Sequence, residues 1–397
     1  MLAEMSARRL KRIALHVDSV GAYGRGVLSG IAAYARARPR WRLYIRGMHG
    51  APELEDADMG GMDAAIVQDY EESALLPLFE RGAPLVLAGS HRLSRPIPAV
   101  MQDNATIARL AAEHLIERGL RHLVYFAQST HGASDERARI FAEAAEAVGA
   151  QCWQYEAASA DPVPSGRGKR RKGGQGSLPK WLGSLPRPLG VFTFNDVRAV
   201  AVIRAAQAAG LAVPDDVAVI GVDDDPLVAE QLEMGLSSIQ PNAWRIGYRA
   251  AEMLDSLLRG ERFKPDHTEC IPPLGVIARA STGTLAVEDE QVAAALRTVQ
   301  QRFTDPQLQV ADLLAGLPVS RRAFERRFFE AVDRTPAEHI RHVRLRRAQE
   351  LLADVRMPLE QVAAASGFSS ARLLGVTFRR HLGTSPQAYR RQCFGRT

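Results

Sequence analysis

Two sets of side chains in this chain have types and spacings suited to recognition chemistry. The first is rich in arginine. In SRRAFERRF, Ser320 precedes Arg321, Arg322, Glu325 and Arg326, which fall at i, i+1, i+4 and i+5 and share one side of a helix whose other side carries Phe324 and Phe328. A guanidinium can donate two parallel bonds to guanine O6 and N7, and a glutamate can accept from cytosine N4 or fix a neighbouring arginine. Fifty residues on, Ser369, Ser370, Arg372 and Leu373 stand in the same relation to Leu374 and Phe378, and Arg379 and Arg380 follow at positions suited to phosphates. The second set is rich in oxygen. Asp18, Asn195-Asp196 and Asp223-Asp224-Asp225 each close an apolar run, and Arg25 and Arg137 could supply donors. Carboxylates and amides bind hydroxyls directionally without requiring a charged ligand, so this set suits a small polyhydroxyl molecule. Taken singly, an aspartate after a strand is as often a turn former or a helix N-cap.

Charge supports the first assignment. Residues 291–397 hold 18 Arg, no Lys and 9 acidic residues, a net charge of +9, in a chain whose total is +6, so the remainder carries −3. A basic end on a near-neutral body is the footprint of nucleic-acid binding, where phosphate neutralisation with counterion release dominates affinity. With 46% apolar and 24% charged residues in 397, the chain can build two or three cores and is neither fibrous nor disordered. No stretch approaches the roughly 18 apolar residues of a membrane span, and the basic start MSARRLKRIALHVD reads as a first strand, so the cytoplasm is the expected compartment. Cys152, Cys270 and Cys393 are too far apart for a CxxC metal site or a disulfide framework. No cofactor is expected.

The elements that must position the arginines form a repeat offset by 50 residues. Ala315 pairs with Ala365, Ser320 with Ser370, Arg322 with Arg372, Phe324 with Leu374, Phe328 with Phe378, Val332 with Leu382, Thr335 with Ser385 and Pro336 with Pro386. Each copy reads as a short apolar helix, a turn glycine (Gly316, Gly367) and a second helix opened by a serine N-cap, which is the helix-turn-helix pattern. Between the copies, Thr335-Pro336-Ala337-Glu338 combines an N-cap, an N1 proline and the N3 glutamate of a capping box. The helix it opens should face the two subdomains with Ile340, Val343, Leu351 and Leu352. Arg341, Arg344, Arg346 and Arg347 add charge. Such a connector would hold two reading helices for successive major grooves, roughly 34 Å apart on double-stranded DNA.

SRRAFERRF, TPAEHIRHVRLRRAQELL, QVAAASGFSS and FRRHLGTSPQAYR, in this order, closely resemble the AraC/XylS DNA-binding domain over about a hundred residues. The resemblance implies a transcription regulator. One departure stands out, since an aromatic-Ser-Arg run of the second reading helix is replaced by Leu374-Gly375-Val376. Glycine costs about 1 kcal/mol in a helix interior, so the first copy is expected to supply most base specificity.

Upstream, RIALHV, WRLYIR, DAAIVQ, PLVLAG, HLVYFA, LGVFTF and DVAVIG alternate with amphipathic stretches. This predicts two α/β lobes of doubly wound parallel sheet, with ligand taken in the cleft at their strand C-termini. Gly21, Gly24 and Gly26 do not make a GxGxxG loop and no GxxxxGK[ST] occurs, so nucleotide binding is not supported. Arg137 four residues before Phe141, Asn195-Asp196 after a strand and Gly221-Val222-Asp223-Asp224 resemble the periplasmic-binding-protein-like sensor of the lactose-repressor superfamily. The resemblance implies effector contacts by Arg137, Asn195 and Asp223, with Asp196 as a neighbour. The DNA reader sits at the opposite end from lactose-type repressors. Together with DSVGAYGRGVLSGIAAYA and SSIQPNAWRIGYRAAEML, that order resembles the xylose-operon regulators. It implies a pentose effector led by D-xylose, a homodimer and, for an activator, RNA polymerase as partner.

The expected organisation is a sensor over residues 1–280, a linker over 281–290 and a reader over 291–397. Residues 157–179, rich in Gly, Pro, Ser and basic side chains, read as a mobile surface insertion whose Arg167–Lys172 run could touch DNA. Two other classes compete. An enzyme acting on a sugar or nucleoside would need a nucleophile or metal arrangement, and no GxSxG, HExxH or ordered Cys/His set is present. A regulator answering to a non-sugar effector or a protein partner would use the same fold.

Overall fold

The computed structural model describes residues 10–38, 40–45, 61–68, 75–89, 95–128, 132–157, 162–163, 177–229, 231–232, 234–284, 286–287, 289–332, 334–352 and 357–394. The basic run Arg167–Lys172 lies outside the described residues. The chain divides into two compact units, the first built from residues 1–104, 130–136 and 241–273, the second from 105–129, 137–240 and 274–397.

The first unit carries a six-stranded parallel sheet ordered β12-β5-β4-β3-β1-β2, with β1 Lys11–His16, β2 Trp41–Ile45, β3 Ala64–Val67, β4 Leu85–Ala88, β5 Ala99–Gln102 and β12 Thr268–Ile271. Apolar cores lie on both of its faces. One is built on Ile13, Leu15, Ile66 and Val86 with the helices α1 (Ala22–Arg36) and α8 (Ala243–Leu258), the other on Ala14, Ala65, Val67 and Leu87 with Leu78 of the short helix α2 (Leu76–Glu80). This is why the strands read as continuous apolar runs.

The second unit holds a seven-stranded sheet ordered β13-β11-β10-β9-β6-β7-β8. Its strands are β6 His122–Gln128, β7 Gln151–Ala157, β8 Pro162–Val163, β9 Leu189–Thr193, β10 Val217–Val222, β11 Ser237–Gln240 and β13 Gly275–Ile277. The inner pairs are parallel and the two edge strands β13 and β8 antiparallel. Around it lie α3 (Asn104–Ile116), α4 (Gly132–Ala147), α5 (Leu178–Gly183), α6 (Asp196–Ala208) and α7 (Pro226–Ala229). All seven apolar runs of the sequence are strands. Those the sequence does not announce are short or polar, such as TECI of β12, or alternate on an outer position, such as QCWQYEA of β7.

The same unit contains the C-terminal helices α9 Glu290–Arg302, α10 Val310–Leu314, α11 Arg321–Val332, α12 Pro336–Leu352, α13 Leu359–Ala365, α14 Ala371–Leu382 and α15 Pro386–Phe394. They form two small cores. Phe324, Phe328 and Ile340 with Val343 belong to the first, and Leu345, Leu352, Leu374 and Phe378 with Leu351 to the second. The connector α12 therefore faces both subdomains as its pattern predicts. Gly316 and Gly367 adopt φ of +81° and +80°, the left-handed turn that the helix-turn-helix requires of them. Ser281 and Thr282, at the start of the expected linker, are fully buried, and the Ser281 hydroxyl donates to Val219 O of β10 at 2.7 Å.

Candidate functional site

The strand ends of the second unit bring together four of the six residues expected to hold a ligand. Asn195 follows β9 and caps α6, accepting from Arg198 N at 3.1 Å, so its Oδ1 is engaged by the helix. Arg137, 1% exposed on α4, donates to Phe194 O at 2.7 Å with its guanidinium carbon 4.9 Å from the centre of the Phe194 ring. Asp223 follows β10 at φ +111° and Asp224 at φ +49°, a left-handed pair that turns the chain at the strand end. Burial pushes the Asp223 carboxyl up to about 7, the Arg137 charge pulls it back and the neighbouring Asp225 adds to the rise.

Asp196 has a different role from its neighbours. It is 2% exposed, Oδ1 accepts from Ser238 Oγ at 2.6 Å and Oδ2 from Asp225 N at 2.8 Å. Both oxygens are thus engaged by the protein, and the residue holds the 223–225 loop in place. Burial, then the nearby Asp223, raise its carboxyl well above the usual range. Sequence reading missed Ser238 and saw Asp225 only as a member of the acidic run, because their shared partner Asp196 lies 42 and 29 positions away. In the first unit, Asp18 is exposed and accepts from Val20 N at 2.9 Å, while Arg25 donates from its guanidinium to Val20 O.

In the reader, Ser320 and Ser370 are both N-caps, accepting from Ala323 N at 3.3 Å and Leu373 N at 3.2 Å. Arg321, Arg322, Arg326, Ser369, Arg372, Leu373, Arg379 and Arg380 are exposed and Glu325 partly so. Arg321 Nε donates to Glu325 Oε1 at 2.8 Å, so the glutamate fixes its neighbour in the free protein. Beside these, Phe329 on α11 and Leu373 and Val376 on α14 expose apolar area, of the kind that contacts a thymine methyl. The connector arginines do more than add charge. Arg344 donates to Phe303 O and Asp305 O at 2.9 and 2.6 Å, Arg347 to Glu350 at 2.9 Å, and Arg346 reaches Glu117 of the sensor lobe at 3.3 Å. Arg344 and Arg346 therefore fasten the connector to its surroundings, while the Arg347–Glu350 pair lies within the helix.

Two sequence families match in order along the chain, one described as a periplasmic binding protein-like domain over residues 112–282 and one as a helix-turn-helix domain over residues 313–392. The chain is a DNA-binding transcription regulator. It joins a periplasmic-binding-protein-like sensor to an AraC-type reader. Over 394 residues it is 26% identical to the xylose operon regulatory protein of Haemophilus influenzae, covering 96% of this chain and 98% of the relative. The protein of the same name from Escherichia coli is 25% identical, with 96% of each chain covered. Among solved structures, a xylose-binding transcription activator superposes with a TM-score of 0.57 at 24% identity, over 96% of this chain and 97% of that one. A cellobiose complex of the regulator CelR gives 0.53 at 24%, over 69% and 85%. At these identities the superpositions speak for the fold. The named relatives are regulators, which sets the enzyme reading aside. Among the described residues no helix is long and apolar enough to cross a membrane.

The regulator's second reading helix contains Gly375 in its interior, and a Cβ built there meets nothing within 4 Å. Gly375→Ala is expected to stabilise the protein by about 0.5–1 kcal/mol, because the unfolded chain loses freedom and the helix gains propensity. Urea unfolding followed by far-ultraviolet dichroism checks this. An unchanged or lowered midpoint would show that the position is under a constraint the helix does not reveal.

Proposed function

We propose that this regulator senses a small sugar, with D-xylose the first candidate, and reads double-stranded DNA as a cytoplasmic homodimer that activates sugar-catabolism genes through RNA polymerase. The observation that carries the sensing part is the convergence of Arg137, Asn195 and Asp223 at the C-terminal ends of β9 and β10, where α/β folds bind ligands. Arg137 and the Asn195 amide would donate to sugar oxygens and Asp223 would accept from hydroxyls. Asp196 would hold the loop, and Asp18 and Arg25 are the ligand candidates of the first unit taken by itself. The xylose regulators that match over almost the whole chain support the choice of pentose. In this reading the sensor spans residues 1–280 and the reader 291–397, and the 281–290 segment between them has its first two residues pinned to the sensor.

Calorimetric titration of the full chain with a sugar panel led by D-xylose, beside Asp223→Ala, tests the sensing part. A saturable heat that the variant loses is the expected result. Folded, DNA-binding protein that gives no heat with any sugar would overturn it.

On the DNA side, Arg321, Arg322, Glu325 and Arg326 would read bases from the first copy. Ser320, Ser369 and Ser370 would present the helix N-termini, Arg372 and Leu373 would make the second copy's contacts, and Arg379 and Arg380 would meet phosphates. Substituting Arg322 by alanine is expected to cost about 1–3 kcal/mol and to relax specificity at one base pair. Arg379→Ala should instead weaken all sequences alike and lower the slope of log K against log salt by about one. Fluorescence-anisotropy titrations at several salt concentrations separate the two. The same salt slope for both variants would contradict the division of roles.

A further inference from the structure

Within the second unit, an unbroken line of polar contacts runs from the loop at the end of β10 to the connector helix of the DNA reader. At its sensor end, Asp224 Oδ1 accepts from Arg279 Nη2 at 2.8 Å. The Arg279 backbone exchanges two hydrogen bonds with the Ser237 hydroxyl, N–H donating at 2.7 Å and C=O accepting at 2.9 Å. Ser237 Oγ lies 2.7 Å from Thr282 Oγ1, which lies 2.8 Å from His114 Nε2. On the far side of the ring, His114 Nδ1 faces the guanidinium groups of Arg118 at 3.2 Å and Arg346 at 3.3 Å. Arg346 belongs to the connector α12 and also meets Glu117, the residue that pairs with Arg334 and His342 from the same side.

The direction of every bond in the middle of this line is fixed. Two guanidiniums can only donate, so Nδ1 must be the accepting nitrogen and Nε2 carries the proton. That proton goes to Thr282 Oγ1, the Thr282 proton to Ser237 Oγ and the Ser237 proton to Arg279 O. Ser237, Thr282 and His114 are fully buried, so none can exchange a lost partner for water. A displacement of the Asp224 loop must therefore be absorbed by the next pair along or carried to the connector. The same face of the lobe touches the reading helix directly, because Arg121 Nη2 donates at 2.6 Å to Ala331 O in the last turn of α11, where helix carbonyls lack partners.

We propose that this line, Asp224–Arg279–Ser237–Thr282–His114–Arg346, is the coupling element between the effector loop and the DNA reader. It rests on the proposed function for the identity of the ligand at Asp223, and on the structure alone for the linkage. Linkage is reciprocal: if an effector at the loop changes DNA affinity, DNA on the reader must change the loop.

The test needs no sugar. Full-length protein is subjected to amide hydrogen exchange with and without a saturating DNA duplex recovered by selection from a random-sequence library, and the segment 217–240 is followed. In the unsubstituted protein, exchange at residues 220–225 is expected to change about fivefold or more on adding DNA, the lower end of ordinary coupling energies. Thr282→Val keeps the shape and removes the bridging hydroxyl, and Arg346→Gln cuts the line at its partly exposed end, where folding is least at risk. Both should bind the duplex and lose the response at 220–225. A loop that ignores DNA in the unsubstituted protein, a response that survives both substitutions, or variants that fail to bind DNA at all would each overturn the proposal. A response to DNA in protein that gives no heat with any sugar would retain the coupling element and sink only the sugar assignment.

Discussion

Replacing Glu117 by alanine is expected to destabilise the docked sensor lobe and reader by about 3–5 kcal/mol, the cost of leaving a buried ion cluster without one of its partners. Glu117 is 6% exposed at the end of α3 and is the carboxylate on which Arg334, His342 and Arg346 of the reader converge, with His342 Nε2 at 2.8 Å. Without it, the Arg334 and Arg346 guanidiniums are left in a partly closed interface without their shared counter-charge. A drop of this size lowers a thermal midpoint by on the order of 10 °C in a unit of this length. All four tryptophans, Trp41, Trp153, Trp181 and Trp244, lie in the sensor, so the change should be followed by hydrogen exchange of residues 334–346. Exchange there that matches the unsubstituted protein would show the cluster to be worth no more than a surface ion pair.

The same cluster sets a pH dependence. Burial works to raise the Glu117 carboxyl, but His342, Arg346 and Arg334 overcome it and hold it well below the usual range. Its contribution is therefore present above the unfolded value of about 4.3 and lost as pH falls through the folded one. His114 is depressed by burial, then by Arg118 and Arg346, and His339 is brought down to about 4, mainly by burial. Both stay neutral where the unfolded chain takes up a proton, so stability starts to fall as pH drops below about 6.5. Midpoints measured between pH 7 and 4 should decline throughout. In Glu117→Ala only the part below about 5 should flatten.

Legibility from sequence followed the range of the interactions. The helix-turn-helix pair was readable because its signals are local: a serine cap, an apolar pair four apart, a turn glycine, and a proline and glutamate at fixed offsets from a threonine. The parallel strands were readable because burial on both faces writes continuous apolar runs. Polar residues at strand ends were readable as a set but not by role. Nothing adjacent to Asp196 in the chain shows that Ser238 and Asp225 will engage both of its oxygens. The docking of reader on sensor lobe was not readable at all. Glu117 and Arg334 are 217 positions apart and His114 and Arg346 are 232. In one sequence each is an ordinary charged or polar residue on a helix. That is also why Arg344 and Arg346 read in the sequence only as added charge and prove to fasten the connector.

Arg137 should show the largest effect on sensing. It is buried, it donates to Phe194 O at 2.7 Å, and its charge draws down an Asp223 carboxyl that burial has lifted to about 7. Arg137→Ala removes a donor from the loop after β9 and the counter-charge of Asp223 together, so effector affinity is expected to fall by more than about 100-fold, in keeping with the several kcal/mol that truncating a buried charge costs. Arg137→Lys keeps the charge without the planar fork and should fall between the two. The proton ledger then separates a binding role from a merely structural one. A carboxyl raised in the folded state contributes stability below its unfolded value, near 4, and loses that contribution as pH rises through the folded value. If the ionised form accepts the sugar hydroxyl, affinity moves the other way. With a value near 7, roughly a tenth of Asp223 is ionised at pH 6 and nine-tenths at pH 8, so binding should tighten about tenfold across that interval. Asp223→Asn should bind weakly with no such dependence, and Arg137→Lys should shift the dependence towards alkaline pH if the weaker fork lets the carboxyl rise further. Calorimetry at pH 6 and 8 reads all three. Equal affinity at the two pH values in the unsubstituted protein would mean that Asp223 shapes the loop, as Asp196 does, without accepting from the ligand.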